Sequence, residues 1–563
     1  MQDNPGRKAS SYRQKGGSAN MSNAIFQVPT PQNESSLEYA PGTPERAELK
    51  AALCHLSSQQ IEIPLIISGK EVRTGNLGRA FMPHDHSHVL GTYHKAGAKE
   101  VHQAIAAAQE AWQEWSRMPW EARAAILLKA AEILTCRQRS LMNAAAMLDL
   151  SKTAHQSEID MIAELADFWR FNPYYMMQIM QPQPRNLPTV WNMSEHRPLE
   201  GFVFAVTPFN FASIAGNLPT APAMMGNTAL WKPASSAVYT AYHIMRILEQ
   251  AGLPPGVVNF IPGDGAAVGD PVLAHPALAG VHFTGSTGTL HHIWKAVGAN
   301  IGDYRAYPRV VGETGGKDFV FAHASADVPP LIAALIRGAF EYQGQKCSAA
   351  SRAYIPDNLW PQVRDGLLAE LDSVRVGDVS DFTNFMGAVI DEGAFKKIAG
   401  YVELARSSPD TEILAGGTYD DRTGYFIDPT VVLTENPRHR LMEEEIFGPV
   451  LTLYVYPEKE FEKTLHLCDE TSPYGLTGAI FAQDRHAVHQ ASDILRHAAG
   501  NFYINDKPTG AIVGSQPFGG SRASGTNDKA GSPLNLERWV TPRTIKESFC
   551  PPTDYRYRFM EEP

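Results

Sequence analysis

Between residues 201 and 289 four short apolar runs alternate with helical stretches, and every run stops abruptly. Phe202–Val206 closes at Thr207-Pro208, Thr228–Lys232 at Pro233, Val257–Ile261 at Pro262-Gly263, and Gly280–Phe283 at Thr284-Gly285-Ser286. Ser236 to Ala251 reads as a helix with Gly252 as its stop. Strands alternating with helices build βαβ units on a parallel sheet, so the fold class is α/β. Ligands bind such sheets beyond the carboxyl ends of the strands. Here a ligand would meet Thr207, Lys232, Gly263, Gly285 and Ser286.

The chain of 563 residues exceeds one core, at roughly 100–200 residues per domain. A second α/β block runs from about Val310 to Asn505, with strand-like Asp318–Phe321 and Val450–Val455 and helix-like Val328–Tyr342. Val101 to Leu150 is helical, with Ile126, Leu127, Ala130, Ile133 and Leu134 on one stripe. Asn192–Arg197 and the segment after about Asn527 belong obviously to neither block and are candidate interaction elements. A formal net charge of −11 argues against non-specific nucleic-acid or anionic-membrane partners. No apolar run reaches the roughly 18 residues of a membrane span. The five cysteines are scattered and form no C-x-x-C pair, so neither a disulfide framework nor a metal site is expected. Residues 1–20 carry Arg7, Lys8, Arg13 and Lys15, which suits either a mitochondrial targeting segment or a disordered tail. Without an apolar core to that segment, secretion is not expected.

Four features carry chemistry, each with a plain alternative. Cys347 lies in Gln345-Lys346-Cys347-Ser348; a nucleophilic cysteine needs a lowered pKa, which a helix opened by Ser348-Ala349-Ala350-Ser351 and the charge of Lys346 would supply. A lone cysteine is more often a small core residue. Glu313 precedes Gly315-Gly316, where backbone is open to close approach by a ligand; the alternative is a surface turn. Phe283 to Thr289 carries small residues from a strand towards a helix, a place for a phosphate, although it is no G-x-G-x-x-G. Asn210, in Pro208-Phe209-Asn210-Phe211, offers an oxyanion donor at a strand end or is simply a turn residue.

Read together, the segments Thr207–Phe211, Trp231–Pro233, Phe283–Thr287, Glu313–Lys317, Gly344–Cys347, Glu445–Pro449 and Pro517–Gly520 resemble the aldehyde dehydrogenase superfamily, in its order and over about residues 60 to 545. Thr509–Gly514, Pro517–Lys529, Glu164–Asn172 and the arm around Tyr39–Gly42 resemble its Δ1-pyrroline-5-carboxylate dehydrogenase (L-glutamate γ-semialdehyde dehydrogenase) branch. That resemblance implies an aldehyde dehydrogenase-like fold, a Rossmann-type cofactor domain plus an α/β catalytic domain and a small oligomerisation flap. Its expected boundaries are 1–50 for a partly disordered N-terminal arm and 51–312 for the NAD-binding domain, interrupted by a flap near 178–200. The catalytic domain would span 313–505, and 506–563 would hold an anchor loop and a C-terminal oligomerisation segment.

The activity implied is NAD-dependent oxidation of L-glutamate 5-semialdehyde to glutamate in proline degradation. Cys347 would be the nucleophile, Asn210 with the Cys347 N–H the oxyanion donors, and Glu313 the base that hydrolyses the thioester. The cofactor would meet Thr207, Lys232, Ser235, Gly285, Ser286, Thr287, Gly288, Thr289, Glu445 and Phe447. Many NAD-selective relatives carry a glutamate where this chain has Ser235, which leaves room for NADP. Phe211, Ser348, Gly510, Ala511 and Phe518 would take the substrate, with Glu164 a candidate for its α-amino group. Some members have a serine in place of Ala511, so backbone N–H groups would bind more of the carboxylate here. A homo-oligomer, dimer or higher, is expected, in bacterial cytoplasm or mitochondrial matrix according to the host. A different aldehyde, or acylation of CoA in place of water, is the alternative within the superfamily; a non-catalytic protein of this fold is the alternative outside it.

Overall fold

The computed structural model describes residues 25–562, and the candidate targeting segment 1–20 lies outside them. Two seven-stranded sheets organise the chain. In the first, Arg309–Glu313, Leu278–Thr284, Phe202–Val206, Thr228–Lys232 and Val258–Phe260 lie side by side and parallel. The hairpin Leu65–Ile67 and Lys70–Val72 closes one edge antiparallel. The strand expectations at 202–206 and 228–232 match residue for residue. From Phe202–Val206 the chain first adds strands on one side, then crosses to add Leu278–Thr284 and Arg309–Glu313 on the other. The crevice at that reversal is where open α/β sheets hold ligands.

These parallel strands are apolar on both faces because helices cover both. On one face pack helices Trp120–Glu132, Arg139–Leu150, Leu165–Met180 and Val238–Ala251, with Trp169 and Trp231 wholly buried among them. On the other, Ala98–Trp115, Gly265–Leu273 and Thr287–Ala299 cover Phe202, Phe204 and Leu230. Gly252 ends its helix at φ +97°, a left-handed cap that glycine adopts without strain.

The second sheet runs in the order Thr411–Ala415, Thr430–Thr434, Val450–Tyr456, Ala350–Pro356, Asp318–Ala322, Thr477–Phe481, Asn501–Ile504, parallel except at its first strand. Glu313 thus ends the first sheet, and Asp318 opens the second five residues later. Asn192–Arg197 and the C-terminal segment find each other: Val190–Pro198 and Val540–Ser548 form an antiparallel ribbon in continuous register.

The arm departs from expectation. Residues 25–43 form no regular element, but a helix starts at Pro44, inside the stretch read as arm, and runs past its expected end at residue 50 to Ser57. Its proline sits in the first turn, where a missing N–H costs nothing, and Glu45 faces the helix dipole favourably.

Candidate active site

Register aligns Val206 with Lys232 and with Phe283, and Thr284 with Glu313, so the strand ends form one row. Trp231 Nε1 donates to Thr207 Oγ1 at 3.0 Å and fixes that hydroxyl at the rim. Ser286 Oγ accepts from Thr289 N at 3.3 Å, an N-cap that begins the next helix. A cavity of about 690 Å³ lies along this edge. Thr207, Lys232, Gly285, Ser286, Gly288 and Thr289 line it from the first sheet, and Asn210, Cys347, Glu445 and Phe447 lie on its walls.

Two residues expected along the cofactor do not line the cavity: Ser235 is exposed beside it, and the Thr287 hydroxyl turns to Tyr474 Oη at 3.4 Å. The helix Gly265–Leu273 falls in the helical stretch expected before Gly280, but its part in the site was missed. Its Gly265, Ala266 and Gly269 reach the cavity, and a Cβ on either glycine would meet nothing within 4 Å. Two helix N-termini, small residues and a half-buried lysine whose ammonium, among the described residues, donates only to Pro233 O make a surface that fits an anionic dinucleotide.

Cys347 follows three consecutive left-handed residues, Tyr342, Gln343 and Gly344, at φ +52°, +57° and +66°. Gln343 Nε2 donates to Ser151 O at 3.0 Å and Ala388 O at 2.7 Å, and Gln345 Oε1 accepts from Ile390 N at 2.9 Å. A Cβ on Gly344 would stand 2.3 Å from Gly448 O. No helix opens after the thiol. Ala350–Pro356 is instead a strand paired on both sides, and those ladders override the helical preference of two adjacent alanines. Nor does Lys346 lend its field, since its ammonium lies 3.0 Å from Glu341. Burial pushes the Cys347 thiol well up, and the charges of Glu313, Asp318 and Glu445 push the same way.

Asn210 sits just before the helix Ala212–Met224. Both carboxylate oxygens of Asp160 take that helix's first N–H groups, from Ala212 and Ser213, at 2.9 Å each. Lys152 reaches Asp160 at 2.7 Å, and its ammonium lies 4.8 Å from the Phe211 ring and 4.1 Å from that of Tyr342. One buried cation thereby joins the Asn210 segment to the cysteine loop. No short-range pattern advertises it.

Glu313 faces a second cavity of about 20 Å³, the size of one water molecule, together with Glu164, Phe168, Phe518, Asp528 and Lys529. Burial pushes its carboxyl up to about 7, with Lys529 opposing and Asp528 adding to the shift. Glu164 is pushed up to about 8 by burial and by Asp160. Of the glycine pair, Gly315 lines the larger cavity, as expected of backbone open to a ligand, while Gly316 serves the protein itself. Gly316 N donates to Glu445 Oε1 at 3.0 Å, and Cβ atoms on Gly315 and Gly316 would stand 2.2 Å from Glu445 Oε2 and from Cys347 O. Phe447 holds φ +60°, with its ring edge-on to Phe209 at 5.8 Å.

The substrate candidates converge in part. Ser348 Oγ donates to Thr509 Oγ1 at 2.8 Å, which joins the cysteine turn to the loop of Gly510 and Ala511. Phe211 faces the Lys152 cluster, and Phe518 lines the smaller cavity with Glu313.

Residues 75–545 match the aldehyde dehydrogenase family. The chain belongs to that family. It is 50% identical over 539 residues to the Dictyostelium discoideum mitochondrial delta-1-pyrroline-5-carboxylate dehydrogenase, covering 95% of this chain and 97% of the relative. The human protein of that name is 47% identical over 530 residues, covering 94% of each. Among solved structures, the Mycobacterium tuberculosis delta-pyrroline-5-carboxylate dehydrogenase bound with NAD superposes with a TM-score of 0.93 at 51% identity, covering 96% of this chain and all of that one.

Proposed function

We infer that this aldehyde dehydrogenase oxidises L-glutamate 5-semialdehyde, the open form of 1-pyrroline-5-carboxylate, to L-glutamate with NAD+. The observation that carries the reading is that Cys347 and Asn210 share one cavity at the ligand edge of the first sheet, with Glu313 ending the outermost strand of that edge. The names of relatives about half identical over nearly the whole chain support the substrate.

The Cys347 thiolate adds to the aldehyde carbon and forms a thiohemiacetal. The Asn210 amide and the Cys347 N–H stabilise its oxyanion. NAD held along the strand ends would supply the hydride acceptor, and loss of hydride from the thiohemiacetal would leave a thioester to Cys347. Glu313 takes a proton from water as the water attacks the thioester, which releases the carboxylate and restores the thiolate. Lys232, the Gly285–Thr289 turn, Glu445 and Phe447 hold the dinucleotide, and the Gly510–Ala511 backbone and Ser348 receive the amino-acid end of the substrate. Ser235 does not repel a 2′-phosphate, so NADP is accepted as a poorer cofactor.

The ribbon of Val190–Pro198 and Val540–Ser548 is proposed as the contact through which copies assemble. The Dictyostelium and human relatives are named mitochondrial, which supports the mitochondrial matrix for a eukaryotic host, and a bacterial host would place the enzyme in the cytoplasm.

The test is NADH formation from 1-pyrroline-5-carboxylate against propanal and succinate semialdehyde. A higher kcat/KM for an aldehyde without α-amino and α-carboxyl groups overturns the substrate, and a requirement for CoA overturns the hydrolytic step.

A further inference from the structure

Two segments single themselves out in the sequence without a part in the chemistry above: the arm ahead of Pro41-Gly42, and the helix segment Leu165–Asn172. The structure joins both to the loop after Thr509. Asn33, on the arm, donates from one amide nitrogen to Asp167 Oδ2 at 2.7 Å and to Val513 O at 2.8 Å. Both partners are acceptors, so the amide orientation is settled by chemistry: the two N–H groups serve one acceptor each. The bond to Val513 spans 480 positions of sequence.

The arm cannot drift at this point. Asp167 Oδ1 accepts from Glu34 N at 2.8 Å, and the Glu34 carboxylate pairs with Arg139 at 2.8 Å and Arg170 at 2.6 Å. Four residues on, Glu158 accepts from Leu37 N at 2.9 Å and Tyr39 Oη at 2.6 Å. From the other side Phe168 and Phe171 pack under Val513, and a Cβ on Gly514 would stand 2.1 Å from Phe171 Cε1. Among the described residues, the other hydrogen bonds of the loop tip are local, Ile512 N to Gln516 Oε1 at 2.9 Å and those of its own turn, while Ala530 adds an apolar contact to Val513. Gly510 at φ +98° and the half-buried Ala511 lie two or three residues before the tethered carbonyl.

We propose that Asn33 is a positioning residue for substrate: through the Val513 carbonyl it sets where the Gly510–Ala511 backbone presents its N–H groups to the substrate carboxylate. This rests on the substrate reading above. It makes the arm part of the specificity apparatus, although no arm residue lines either cavity described at the site. The missing hydroxyl at Ala511 makes backbone position matter more, because no side chain there can compensate for a loop that has shifted.

Asn33 is exposed, so its replacement leaves the core intact. The experiment compares wild type with Asn33→Ala and Asn33→Asp, the second of which keeps the size but removes the donors and faces Asp167 with a like charge. Steady-state rates are taken with 1-pyrroline-5-carboxylate and with propanal. Loss of a net hydrogen bond raises KM for pyrroline-5-carboxylate about three- to tenfold. The values of kcat, KM for NAD+ and KM for propanal stay within about twofold of wild type, the scatter expected of distant surface changes. Deuterium exchange of the free protein reads the tether without substrate, and amides of residues 509–516 exchange faster in both variants. Unchanged exchange overturns the tether, and an equal rise in KM for both aldehydes overturns the positioning role. If wild type itself fails on pyrroline-5-carboxylate, the substrate reading and the positioning role both fall, while the exchange comparison still reports whether Asn33 holds the loop.

Discussion

Lys346 Nζ lies 3.0 Å from Glu341 Oε2, with both side chains buried, one residue before the thiol of Cys347. The lysine next to Cys347 therefore has its charge answered by Glu341. Removing one partner of a buried pair strands the other charge, at a cost of about 3–5 kcal/mol. Glu341→Gln should lower the midpoint of urea denaturation accordingly, and Glu341→Leu with Lys346→Met together should lose less than either alone. A loss in the double variant equal to the sum of the two single losses would show that the pair is not coupled.

The resting thiol follows from that arrangement. Burial and three carboxylates hold its pKa well above that of a free cysteine, so the thiolate is scarce at neutral pH. In the free enzyme iodoacetamide should label the exposed Cys54 and Cys136 before Cys347. Labelling of Cys347 should accelerate with rising pH and on addition of NAD+, whose nicotinamide ring brings positive charge. Mass spectrometry of the alkylated peptides reads the order.

Glu313 works as a base only when ionised, and its carboxyl is pushed up to about 7. Steady-state turnover should rise as pH increases through about 7 and then level off. Glu313→Gln should abolish that limb and slow turnover by about 10²–10⁴-fold, while one equivalent of NADH still appears rapidly. Cys347→Ala should give neither burst nor turnover. A Glu313→Gln enzyme with the wild-type pH profile would remove the carboxylate from the hydrolytic step.

Phe447 accepts a left-handed backbone, at a cost on the order of 1–3 kcal/mol, to place its ring against Phe209. Phe447→Gly should relieve the backbone and lose the ring. The expected result is a more heat-stable or unchanged protein with KM for NAD+ raised about two- to tenfold, the worth of an aromatic pair.

Ser235 should set cofactor preference from the rim. Ser235→Glu places a carboxylate near the adenosine ribose and should increase the NAD+ to NADP+ ratio of kcat/KM at least about tenfold. An unchanged ratio would mean that the position lies too far from the 2′ group.

The strand ends were readable because parallel strands buried on both faces leave continuous apolar runs, and because Pro or Gly must follow where the chain turns away. Phe202–Val206 and Thr228–Lys232 match to the residue for that reason. The stretch after Cys347 was misread because its helix-forming alanines are a local signal, whereas its strand is dictated by neighbours far along the chain. The arm's helix carried its own signal, proline in the first turn with glutamate behind it, in a segment set aside as extended. Ser235 came from likeness and Thr287 from a run of small residues, and neither signal says which way a side chain points. The Lys152 cluster and the Asn33 tether had no signal at all, since each exists only where distant segments meet.

The left-handed corner at Tyr342–Gly344 has a consequence for how the molecule comes to possess a nucleophile. No local preference makes three such residues in a row, and non-glycine members cost about 1–2 kcal/mol each. The corner survives because Ser151, Ala388 and Ile390 hold it from separate stretches of the chain, and because Gly344 leaves room for the Gly448 carbonyl. During synthesis the cysteine therefore emerges long before it is a catalyst. Its aim is acquired late, when the last of those partners docks, and a nascent or clipped chain carries an ordinary thiol that has not yet been pointed at anything.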